Sequence, residues 1–164
     1  MKAFWQAFDR VIDFMAFLAG CLMAFITLSI CYSVIMRYFF QRPPIWVVQT
    51  CEYALLWIVF LGTAWVLREK GHVAVDVLYS KLKENAKIWL TLCTFMGAML
   101  ACSIVSVIGF YHTWECFKKN IMDVRAITIP KYIVFVIIPI GMVTLVLQFL
   151  RMVSEQIYKL RNGV

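Results

Sequence analysis

Histidine, cysteine and buried acid are the residue types that would have to carry chemistry in this 164-residue chain, and their spacing limits what they can do. The histidines are His72 and His112. His112 falls about 24 residues, or about 36 Å of helix, into the third long apolar run. His72 lies just past the end of the second. The two therefore sit near opposite membrane faces and cannot ligate one haem, so bis-histidine cytochrome chemistry is excluded in a monomer. Cys21, Cys31, Cys51, Cys93, Cys102 and Cys116 form no C-x-x-C pair, and five of them lie in apolar runs as small hydrophobes. The close ligand spacing of zinc or iron–sulfur sites is missing. A Cys51–Cys116 disulfide is conceivable, but free thiols are expected. No serine or threonine has a nearby base, and no glycine-rich loop is present to cradle phosphate. The chain is expected to be no enzyme, with no catalytic, cofactor-binding or metal residues.

Glu52 is the one acid well inside an apolar run, about 9 Å along the helix from Trp46. An intramembrane carboxylate is by default a functional candidate, here a proton or cation site. The simpler expectation is a structural ion pair with Arg37, which ends the preceding run on the same side and lowers the burial penalty of both charges. Coupling sites need several converging polar groups, and the other apolar runs offer none at that depth.

The elements that must position these residues follow from composition. The chain is 63% hydrophobic and 15% charged, against about 45–50% and about 25% in soluble domains. A small soluble fold cannot hide that much apolar surface, so lipid is part of its solvent. The runs 14–36, 45–67, 88–111 and 132–150 each reach across a hydrocarbon core of about 30 Å. The first is too long for a signal-peptide core and is expected to be retained. Pro43–Pro44 separates the first two spans, and Pro130 suits the first turn of the fourth. Pro139 and Gly141 predict a kink in that span. The third is expected to stay helical to about Lys119 and to protrude, and a short loop, 120–129, follows. Residues 73–87 are too short and too charged to span and read as an amphipathic surface helix. The fold class expected is an all-α integral membrane protein: one domain, four transmembrane helices and an interfacial helix between spans two and three.

The formal charge is +7. Its basic residues gather at the ends of the apolar runs rather than in a stripe, which suits lipid headgroups and topology and not nucleic acid. Lys2, Arg10, Arg68, Lys70, Lys81, Lys83, Lys87, Arg151, Lys159 and Arg161 fall on one side. Arg37, Arg42, Lys118, Lys119, Arg125 and Lys131 fall on the other. The excess places both termini in the cytoplasm of a multi-pass protein.

Residues Arg37 to Leu78 include R-Y-F-F-Q-R-P-P-I-W-V-V-Q-T-C-E-Y and then W-I-V-F-L-G-T-A-W-V-L-R-E-K-G-H-V-A-V-D-V-L. This stretch resembles the small membrane subunit of tripartite ATP-independent periplasmic (TRAP) transporters, the DctQ-like family. The matching positions are Arg37, Pro44, Trp46, Glu52, Trp57, Gly62, Ala64, Arg68, His72, Val73 and Asp76, and Ile129 to Gly141 resembles the start of the family's last span. The resemblance implies a place in the inner membrane of a bacterium or archaeon. A periplasmic binding protein would deliver an organic acid to a heterodimer, whose large sodium-coupled elevator subunit performs the symport. The acid could be a C4-dicarboxylate, sialic acid, another carboxylate or a sulfonate. The small subunit would be scaffold, with no substrate or sodium site and no cofactor.

Three surfaces are then candidates for contact. Trp46, Tyr53, Trp57 and Phe60 share one helical stripe, either internal and lipid packing or a docking face for the large subunit. Arg42, Lys118, Lys119 and Arg125 are either solvated loop charges or a docking site for the binding protein. Arg68, His72 and Asp76 would anchor the surface helix, with the i,i+4 pair His72–Asp76 fixing it rather than sensing pH. The alternative to a scaffold is a small stand-alone proton-coupled transporter that uses Glu52. A haem- or quinone-linked oxidoreductase lacks the ligands it would need.

Overall fold

The computed structural model describes residues 2–42, 44–69 and 84–162. Helix α1 (Lys2–Phe39) runs unbroken from the first residues through the whole first span. Helix α2 is Trp46–Arg68 and α3 is Glu84–Lys118. A short antiparallel hairpin follows, β1 (Met122–Val124) and β2 (Thr128–Pro130), in the register Met122–Pro130, Asp123–Ile129 and Val124–Thr128. The chain finishes with α4 (Lys131–Phe135) and α5 (Ile137–Asn162). Among the described residues, four stretches are long and apolar enough to cross a membrane: Trp5–Phe39, Trp46–Arg68, Leu92–Lys118 and Lys131–Ser154.

One expectation is corrected. The fold is not purely helical, because the stretch expected as a loop pairs as a hairpin. The last span is interrupted at Val136, three residues before Pro139. A proline lacks the N–H that would bond the carbonyl of Phe135, four residues back, and its ring crowds that carbonyl. The helix therefore breaks there. Residues 73–83 of the expected surface helix, with His72 and Asp76, lie outside the described residues, while 84–87 open α3.

In space the helices run α1, α2, α5, α3, each in contact with the next. The seam of α1 on α2 is heptad-like: Phe8, Ile12, Met15, Ala19, Ile26 and Ser29 are buried at spacings of three, four or seven. Such a repeat keeps one stripe turned to its neighbour along a long helix. Lipid tails are as apolar as leucine, so helix association in a membrane rests on close packing and small residues. Ala19, Ala54 and Ala64 are buried at these seams. Gly141 of α5 lies so close to Phe60 of α2 that a Cβ there would come within 2.7 Å of the Phe60 carbonyl oxygen. By contrast α3 has no fully buried side chain from Leu92 to Glu115.

The ends turn by local rules. Asn120 has φ 46°, a left-handed conformation that asparagine tolerates. It closes α3 with a pair of bonds, Asn120 N–H to Phe117 O and Ile121 N–H to Cys116 O, both 3.2 Å. This is the Schellman cap, which satisfies two carbonyls that the helix leaves open. The chain leaves it directly into β1, and Lys131 N–H donates to Ile121 O at 3.0 Å, extending the hairpin ladder to the start of α4.

Candidate functional site

The polar side chains of α2 gather in its first two turns. Gln49, Glu52 and Tyr53 stand at i, i+3 and i+4, so they share one face. The hairpin tip lies on that face. Gln49 is only 4% exposed, and its amide pairs with the Ile127 backbone in both directions. The Ile127 N–H donates to Gln49 Oε1 at 2.8 Å, and Gln49 Nε2 donates to the Ile127 carbonyl at 2.9 Å. Nε2 also donates to the Tyr53 hydroxyl at 2.8 Å. That hydroxyl in turn donates to Asp123 Oδ2 at 2.5 Å. The amide thus uses both donors and its oxygen, which makes its burial tolerable.

Arg125 completes the latch and corrects the pairing expected from sequence. Its Nη1 lies 2.9 Å from Glu52 Oε2, and its Nε lies 3.6 Å from Asp123. Glu52 therefore pairs with Arg125 of the hairpin and not with Arg37. Arg37 lines a groove with Glu52 and Arg125 but makes no ion pair among the described residues. The hairpin covers the start of α2, while α1 carries Arg37 into its own last turn. Glu52 remains half exposed at one end of its helix.

A second polar cluster closes the end where the termini lie. Arg151 of α5 pairs with Asp9 of α1 at 2.7 Å, and its guanidinium lies 5.2 Å from the centre of the Trp5 ring. Arg68 pairs with Asp13 and donates to the Asp9 carbonyl at 3.3 Å. Arg68, expected to anchor the surface helix, thus ties α2 to α1.

The remaining candidates separate. Of the aromatic stripe, Tyr53 belongs to the latch. Trp57 and Phe60 pack on the core of Met15, Ala19, Leu61 and Ile137, so most of the stripe faces inward. Trp46 is the exposed member, with its ring 6.5 Å from that of Tyr32. Among the basic candidates, Lys118 stands over the Trp114 ring and Lys119 pairs with Glu115 at 2.5 Å. The bond to Glu115 holds the Lys119 ammonium above its usual range. Arg42 is exposed on the connection between α1 and α2. His112 has Nε2 3.9 Å from Cys116 Sγ and its ring against Phe135. Cys51 and Cys116 are free thiols, as are the other four cysteines. Among the described residues no three His, Cys, Asp or Glu side chains gather as a metal would require.

Six hydroxyls inside the spans are turned onto their own helices. Thr27, Thr50, Thr63, Ser103 and Thr113 each donate to the carbonyl four residues back, and Thr144 to that three back. Groups bonded in this way do not converge on a permeating ion. The arrangement can hold helices and a hairpin in place.

Residues 26–158 match the family described as "Tripartite ATP-independent periplasmic transporters, DctQ component". That stretch takes in α2, α3, the hairpin and both polar clusters except for Asp9, Asp13 and Trp5. The chain belongs to the DctQ family. It is similar to the C4-dicarboxylate TRAP transporter small permease protein DctQ of Vibrio cholerae serotype O1, with 26% identity over 157 residues, 82% of this chain and 67% of that protein. It is also similar to the sialic acid TRAP transporter small permease protein SiaQ of the same organism, with 21% identity over 91 residues, 56% of this chain and 53% of that protein. This DctQ-family chain is thus a small membrane subunit of TRAP type. Gln49 and the hairpin were missed in the sequence. An uncharged amide does not announce chemistry, and the signal available was its i, i+3, i+4 spacing with Glu52 and Tyr53.

Proposed function

We propose that this chain is the fixed scaffold partner of a large sodium-coupled TRAP subunit, in a heterodimer that takes up an organic acid handed over by a periplasmic binding protein. The observation that carries this is the closure of the polar groups on one another. The latch, the terminal ion pairs and the in-helix hydroxyl bonds spend most of these polar side chains on holding the chain's own shape, Arg37 and the buried Gln148 Oε1 excepted. A rigid row of helices widens the stationary part of a transporter against which a second domain slides. Two relatives are named for C4-dicarboxylate and sialic acid transport, so a carboxylate is the substrate class proposed, recognised by the other subunits. Both termini and the 2–3 connection face the cytoplasm, by the positive-inside count.

The large subunit is proposed to dock on outward faces, with Trp46 as the aromatic anchor retained from the stripe. The binding protein is proposed to meet the hairpin end, where Arg42, Lys118, Lys119 and Arg125 lie. The test is co-expression with a large TRAP membrane subunit. Co-purification of a stable complex in detergent supports the scaffold role. Separate elution of the two chains, together with uptake by the small chain alone, contradicts it. Reversing both Lys118 and Lys119 to Glu should weaken uptake driven by the binding protein and flatten its salt dependence. Unchanged uptake removes the proposed docking role.

A further inference from the structure

Arg37 is the odd charge at the hairpin end. It lines a groove of about 490 Å³ together with Ser33, Val48, Glu52 and Arg125. That volume falls in the range of small-molecule sites, about 300–1,000 Å³. Arg125 is already committed to Glu52 at 2.9 Å, while Arg37 has no ion-pair partner among the described residues. Arg125 also lies 3.6 Å from Asp123, so both carboxylates of the latch are engaged with Arg125 and the Arg37 guanidinium is left without an ion pair among the described residues. Its depth is set by α2, on which Glu52 lies about 9 Å from Trp46. Trp46 and Tyr32, with rings 6.5 Å apart, are the residue types that sit at headgroup level. Arg37 occupies the last turn of α1, at the same end. Beside these polar groups, Ile45 and Val48 are 77% and 64% exposed and carry the groove wall into apolar surface.

We infer that this groove is a binding site for one anionic phospholipid, with its phosphate on Arg37 and an acyl chain along Ile45 and Val48. The unpaired guanidinium supplies the bidentate donor geometry that phosphate prefers. The apolar wall explains why a lipid, rather than a soluble anion, fills the site. The headgroup is net anionic, as in phosphatidylglycerol. Glu52 is the one carboxylate lining the groove and is held by Arg125, so no acceptor is free for a choline cation. The inference does not depend on which side of the membrane the hairpin faces, because both leaflets present phosphates.

Native mass spectrometry of the purified chain, exchanged into mixed phosphatidylglycerol and phosphatidylcholine micelles, tests it. Wild type should retain phosphatidylglycerol over phosphatidylcholine by about fivefold, the effect of one basic residue at a lipid surface. Arg37→Gln should abolish the preference, and Arg37→Lys should keep most of it. Arg37 holds no side-chain partner among the described residues, so neither change should disturb helix content. Glu52→Gln should raise the preference, because it removes a negative charge from the groove lining while Arg125 stays beside Asp123, whereas a purely structural groove predicts a fall. Retention unchanged in Arg37→Gln overturns the assignment. So does displacement of the lipid by excess inorganic phosphate, which makes the groove a site for soluble anions. Absence of lipid on the isolated wild type leaves the charge to be met by a protein acid, and that also overturns it.

Discussion

The two ends of the helix row are both closed by polar side chains, but by different chemistry. At the terminal end, charged residues on three helices meet directly: Asp9 with Arg151, and Asp13 with Arg68. These side chains are about one-fifth to one-half exposed, so water screens them and each pair is worth little alone. At the hairpin end the central group is a neutral amide, Gln49, buried and bonded to a main-chain unit of the hairpin. Its bonds are short-range and unscreened, and leaving a buried group unpaired costs more than a hydrogen bond contributes when made. The terminal end therefore tolerates loss of a contact, while the hairpin end depends on one residue. The difference suits a subunit whose helices must stay parallel while one end presents a shaped surface.

Four substitutions would break or sharpen that contrast. The largest effect is expected between the two ends. Gly141→Ala places a methyl 2.7 Å from the backbone oxygen of Phe60, and α2 must move away from α5. Overpacking of this kind should cost about 3 kcal/mol in thermal unfolding in detergent. Gly62→Ala, where nothing lies within 4 Å, should be neutral and serves as the control. Next comes Gln49→Ala, which strips the Ile127 amide and carbonyl of their partners and should cost about 2 kcal/mol. Hydrogen exchange should accelerate at Ile127 and not at the terminal cluster. Arg151→Gln should cost about 1 kcal/mol, lessened by added salt, which leaves the Gln49 effect unchanged. The smallest effect is expected for Lys119→Ala, with no resolvable change in unfolding at neutral pH. The Lys119 value is raised by Glu115, so whatever the pair contributes on the basic side is present at neutral pH and is lost as pH rises through that raised value. An Arg151 variant more damaging than Gln49→Ala would reverse the comparison.

Much of this architecture is legible in the chain. Four apolar runs, the basic residues at their ends and the proline in the last span lead to the spans and the break, because hydropathy and the missing proline N–H act locally. The break falls at Val136 because the proline's effect reaches back to the carbonyl of Phe135. The α1 seam is visible as Phe8, Ile12, Met15, Ala19 and Ile26. Less legible is what distant segments do to one another. Glu52 was matched to Arg37, its neighbour in sequence, whereas a three-residue-strand hairpin brings in Arg125 from 73 positions away. Strands that short, without a strong turn dipeptide, leave little trace in composition. For Trp57 and Phe60 packing and docking both stay open in the sequence, because periodicity alone cannot say which face meets α5. Arg68 was assigned to the adjacent segment, yet its partners Asp9 and Asp13 come from the first helix.

The most direct test of the central claim is uptake of a radiolabelled C4-dicarboxylate or sialic acid by proteoliposomes under a sodium gradient, with binding protein present. The small chain alone should transport neither. The large and small subunits together should transport the acid that their binding protein carries, and Glu52→Gln in the small chain should leave sodium coupling intact. Uptake by the small chain alone, lost on Glu52→Gln, would contradict the account and make Glu52 a coupling residue.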